Sequence, residues 1–129
     1  MIGEAERQRR LARTDTDWGE PVVRSPGKLI SQALQRQGFL PSHEFIVRFI
    51  ERLRACNLKF DPRAFRCEFY NARHYRQTGS RFKPRIALIR GIAVLYRPGG
   101  ADDRRVELLG VMPEYAVPSV VPVSAPCLH

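Results

Sequence analysis

The sequence predicts a small single-domain α+β fold, with N-terminal helices followed by an antiparallel β-hairpin, and three observations lead there. Two stretches between Pro26 and Cys56 repeat apolar residues at helical spacing behind hydroxyl-bearing caps. Residues 85–97 and 104–112 have strand composition around a Pro/Gly/Asp turn. A chain of 129 residues suits one domain, which at this size buries roughly two thirds of the surface its unfolded form exposes.

Residues 1–24 read as a flexible basic arm: Arg7, Arg9, Arg10 and Arg13 precede Asp15 and Asp17 with no apolar stripe. Trp18, Val22 and Val23 interrupt it, and a tryptophan so placed is expected to dock on the domain's own core or on a partner. Ser25 then offers a cap, Pro26 suits a first turn, and Leu29, Ile30, Ala33 and Leu34 mark a helix over 26–37 that Gly38 ends. A link over Gly38–Pro41 leads to the Ser42 cap. Ile46, Phe49, Ile50 and Leu53 form the apolar face of a second helix over 43–56, with Arg48, Glu51, Arg52 and Arg54 around the rest.

Asn57 stops that helix, Leu58 and Phe60 read as buried, and Asp61 followed by Pro62 is a start signal for a third helix. Residues 62–76 carry two periods. At 3.6 residues per turn Phe65, Phe69 and Ala72 share a face, while Arg63, Arg66, Tyr70, Arg73 and Gln77 form a stripe opposite. At period two, Phe65, Cys67 and Phe69 alternate with Arg66, Glu68 and Tyr70. The cap favours the helix and the aromatics favour the strand.

Gln77–Lys83 is a basic loop. Arg85–Arg97 reads as one strand, or two with a bulge at Gly91, and Arg104–Met112 returns to complete a hairpin across the Pro98–Asp103 turn. Prolines at 113, 118, 122 and 126 forbid a helix or central strand beyond, leaving a sheet-edge position for Tyr115–Val123. The resulting domain limits are 25–117, with a Pro-rich tail over 118–129.

Charge gives the functional direction. Lysine and arginine number 22 against 13 acidic residues, a net charge of +9 with a sequence pI near 10.3, and all but Lys28, Lys59 and Lys83 of the basic side chains are arginine. Codon usage in a GC-rich genome also favours arginine, so the total charge carries the physical weight. Such a charge repels itself in a compact state unless a polyanion or clustered carboxylates offset it, and guanidinium forks match phosphate oxygens and base edges.

The order helix, helix, helix, hairpin is winged-helix-like, an arrangement in which the third helix enters a groove and the hairpin loop touches backbone. On that expectation Arg63, Arg66, Tyr70 and Arg73 form the contact face. Arg76, Arg81, Lys83 and Arg85 follow the backbone, and Arg97, Arg104 and Arg105 sit at the wing. The partner is DNA or RNA; interleaved Phe65, Phe69, Tyr70, Tyr75 and Phe82 also resemble the cation-and-ring mix used on single strands. The competing expectation is a protein-interaction subunit, adaptor or inhibitor docking on an acidic surface or a ribonucleoprotein complex, with a strand at 65–69 and an exposed sheet edge.

Chemistry-bearing motifs are sparse. His74, with Tyr70, Tyr75 and Glu68, supplies the parts of an RNA-cleaving toxin, yet no nucleophile motif accompanies it, and a histidine in a basic loop is expected to face solvent or phosphate. Cys56, Cys67, His74 and Cys127 or His129 lack zinc-finger spacing, so the cysteines are expected to be buried, with no metal and no cofactor. Gly99 and Gly100 make a turn and cradle no phosphate. Three cysteines, a charged start and no apolar run of spanning length point to a cytoplasmic protein, and the lack of a catalytic motif points to a non-enzymatic one.

Overall fold

The structure, a computed structural model, describes residues 26–100 and 102–126. The basic arm, the Ser25 cap, the docking of Trp18, Cys127 and His129 lie outside the described residues. Among the described residues three helices and six strands form a small α+β domain. In chain order they are α1 (Pro26–Arg36), β1 (Phe39–Pro41), α2 (His43–Ala55), α3 (Pro62–Asn71), β2 (Arg73–Gln77), β3 (Arg85–Ile89), β4 (Ile92–Arg97), β5 (Val106–Pro113), a single 3-10 turn (Glu114–Ala116) and β6 (Val120–Val123).

The helix limits follow from the caps. Ser42 Oγ accepts the Phe45 amide at 3.0 Å, donates to the Leu109 carbonyl at 3.1 Å, and so ties the start of α2 to β5. Asp61 Oδ1 accepts the amides of Arg63 and Ala64, with Pro62 in the first turn of α3. After α2, Asn57 takes φ 52°, the left-handed turn that asparagine tolerates.

The sheet order is β1-β5-β4-β3-β2-β6, with β1 parallel to β5 and every other pair antiparallel. Three features differ from the sequence expectation. The Gly38–Pro41 link is itself a strand, because Phe39 buries its ring and pairs opposite Val106. Gly91 is no bulge: Arg90 (φ 48°) and Gly91 (φ 81°) form the tight turn between β3 and β4, and the irregularity lies at Leu95/Tyr96. The ambiguous stretch is both things in succession, helix to Asn71 and strand from Arg73. Val120–Val123 pair with β2 at the sheet edge, as the proline spacing allows.

All three helices pack on one face of the sheet. Six of the seven phenylalanines meet there: Phe39 lies edge-on to Phe65 and Phe69 at 5.4 and 5.3 Å, and Phe49 contacts Phe45, Phe60 and Phe65 at 5.1–5.5 Å. Leu34, Ile46, Ala87, Ile89, Ile92, Val94, Val106 and Leu108 complete this core. Leu58, expected inside, is 42% exposed, because the left-handed turn at Asn57 swings it outward. Cys56 and Cys67, expected as buried, are both exposed free thiols. Cys67 falls on the outer side of α3, between core positions Phe65 and Phe69.

Candidate nucleic-acid interface

Basic residues from α3, β3 and the β4–β5 loop line two clefts on the helix-bearing side of the sheet, which together form an opening. From α3, Arg66 and Tyr70 stand one turn apart; the Arg66 guanidinium lies 5.5 Å from the Tyr70 ring centre, and its Nε donates to the Gln37 carbonyl at 3.1 Å. From the β4–β5 loop come Arg104 and Arg105. Together with Gln37 and Gly38 these side chains line a cleft of about 160 Å³. Arg104 also borders a second cleft, of about 510 Å³, with Arg85, Pro98, Gly99, Gly100 and residues 123–126. Among the described residues no carboxylate lines either wall.

Strand register places Arg85 there. Arg85 faces Tyr96 across β4 and Arg76 across β2, so all three point to the helix side of the sheet. Behind Arg85 lies a buried polar chain. His74 Nε2–H donates to the Phe69 carbonyl at 2.7 Å, which leaves Nδ1 to accept the Tyr96 hydroxyl at 2.6 Å. Burial pushes the His74 pKa down, opposed by the Phe69 bond and reinforced by Arg85. Burial likewise raises Tyr96 to about 12, while Arg85 beside its oxygen works against that rise. Tyr70 is raised by burial despite Arg66. Near neutral pH both phenols therefore keep their protons and serve as donors.

His74 is thus not the exposed or phosphate-contacting histidine that a basic loop implied. It sits on β2 at 3% exposure, because strand alternation turns it inward beside Arg76.

The expected site residues divide into two groups. Arg63, Arg66 and Tyr70 do share one face of α3, and Arg76, Arg85 and Arg104 join them on the helix side of the sheet. Arg73 does not: α3 ends at Asn71, so Arg73 belongs to β2 and points, with Tyr75 and Gln77, to the opposite sheet face. Gln77 spends its amide on the Pro84 carbonyl. Arg97 also points away from the clefts, opposite Glu107, and its Nη2 donates to the Phe82 carbonyl. Arg81 and Lys83 ride on the β2–β3 loop, where Arg81 covers the exposed ring of Phe82. Arg105 is held by Asp103, whose carboxyl the Arg105 bonds bring down to about 2.

Sequence reasoning missed the contribution of Gln37 and Gly38 and the Phe69–His74–Tyr96 chain. Tyr96 continues the inward series Ile92, Val94 at period two, which was the available signal. Among the described residues, no three His, Cys, Asp or Glu side chains are grouped to hold a metal ion, and no helix is long and apolar enough to cross a membrane. No family model matches the chain, and no curated protein or solved structure is significantly similar to it.

Proposed function

We propose that the protein binds nucleic acid without acting on it chemically, gripping the phosphate backbone along the opening lined by Arg66, Arg85, Arg104 and Tyr70. The observation that carries this reading is Arg104 lining both clefts, whose described walls hold four guanidinium groups, Arg105 paired with Asp103 and the other three facing no lining carboxylate. Anions supply what such a surface lacks, and a protonated phenol adds a neutral donor to phosphate oxygen. In the finer, winged-helix-like form of the reading, α3 enters a groove with Arg63 leading, and the β4–β5 connection acts as the wing. Arg76 extends the same track.

The test is a mobility shift with unrelated DNA and RNA duplexes and single strands. Arg66→Ala with Arg104→Ala should weaken binding to all of them about tenfold or more, since each phosphate contact acts whatever the sequence. Unchanged affinity in a folded double variant removes the cleft from the account.

A second reading has one observation in its favour. Among the described residues no helix lies on the far face of the sheet, where Tyr75, Leu88, Leu95 and Met112 are half-buried around the fully buried Ile86 and Ala93. A protein-interaction subunit would dock there. Retention of a protein after nuclease treatment, lost when Leu88 and Leu95 become glutamate, would favour it.

A further inference from the structure

On the opposite side of α3 from the arginine clefts, a narrow cavity of about 80 Å³ opens between the end of α2, the loop over 57–61, α3 and the β3–β4 turn. Its floor is the aromatic and aliphatic core: Phe49, Phe65, Ile89 and Ile92, each at most 8% exposed. Four charged groups besides Arg52 surround the mouth, and most are already committed. Glu68 is paired with Arg90. Asp61 is spent capping α3. Lys59 lines the cavity beside them. Arg52 carries the one buried side-chain nitrogen among the described residues that lacks a hydrogen-bond partner, its Nε. A buried donor left unpaired is costly, and because Arg52 lines the cavity, an acceptor bound there removes that cost once the side chain shifts to present its Nε.

We propose that this cavity binds a small amphipathic carboxylate, its acyl chain lying on Phe49, Phe65 and Ile92 and its headgroup taken by Arg52 and Lys59. The size selects the class. A cavity of about 80 Å³ admits a short alkyl chain and excludes a nucleotide or flavin. The charge selects the headgroup: Arg52, Lys59 and Arg90 outnumber Asp61 and Glu68 around the cavity and leave it net cationic, and a guanidinium fork donates two parallel bonds to a carboxylate. The site is separate from the arginine clefts and stands whether or not nucleic acid binds there.

Cys56 supplies the readout, because this exposed thiol lines the cavity while the equally exposed Cys67 does not. The full chain is alkylated with iodoacetamide in the presence of butanoate, hexanoate or hexanamide, and modification is mapped by mass spectrometry. Hexanoate should protect Cys56 saturably and leave Cys67 unaffected. Each methylene removed should weaken protection about fourfold, and the neutral amide should be about tenfold weaker than the acid. Arg52→Met, which keeps the apolar stem, should erase the preference for acid over amide; Lys59→Met gives the same reading if the first variant does not fold. Hexanoate failing to protect Cys56, protecting Cys67 equally, or acting no better than hexanamide overturns the proposal.

Discussion

His74 sits where a fold and a surface meet. Its ring joins the last turn of α3, through the Phe69 carbonyl, to Tyr96 and thence to Arg85 at the cleft. Replacing it with phenylalanine strands a buried carbonyl and a buried hydroxyl, so His74→Phe should cost roughly 2–4 kcal/mol in urea unfolding. The sign of the pH effect follows from burial, which lowers the folded pKa below the ordinary 6.5. Between those two values the unfolded chain binds a proton that the folded chain refuses. The contribution is complete above about 6.5 and declines as pH falls toward the lowered value. That part of the acid dependence should vanish in His74→Phe. An unchanged slope would show that His74 is not the group responsible.

At the level of elements, the loop between β4 and β5 presents Arg104, and its shape depends on Gly99. A Cβ at Gly99 would overlap the Arg104 backbone, so Gly99→Ala must push the loop open. The core strands do not depend on this contact. Gly99→Ala should therefore weaken nucleic-acid binding several-fold while lowering Tm by only a few degrees, and a variant that binds normally would show that Arg104 is not needed in place. Ser42 differs, since its hydroxyl serves both α2 and β5; Ser42→Ala should cost about 1–2 kcal/mol of stability, read by thermal melting, with binding unchanged. The sequence made these helix starts legible because Ser42 and Asp61–Pro62 act locally. It made the β1 pairing illegible because three residues of strand are fixed by Val106, far along the chain. The same locality explains the partial success with the site. Arg63, Arg66 and Tyr70 share a helix face that spacing reveals, whereas the face of Arg73 changed when the helix gave way to a strand two residues earlier. The inward turn of His74 was not readable without knowing where that change occurs, and the outward turn of Leu58 depends on the left-handed turn at Asn57.

At the scale of the whole molecule, the two faces of the sheet have different environments. Among the described residues, one carries the helices, the phenylalanine core and the cationic clefts; the other carries Arg73, Tyr75 and Arg97 with Ile86, Ala93 and a set of half-buried aliphatic side chains, and no helix. A net charge of +9 acts over the whole surface, but only the first face concentrates guanidinium groups without intervening carboxylates. The account therefore predicts a contact of defined size, made by Arg63, Arg66, Arg76, Arg85 and Arg104. The most direct measurement is the affinity for a labelled DNA duplex across a salt series. Five phosphate contacts give a slope of log affinity against log salt of about −4 to −5, falling by about one for each of these arginines removed. A slope near zero, or one that stays the same when Arg66 and Arg104 are replaced, would contradict the claim that this opening is where the protein holds nucleic acid.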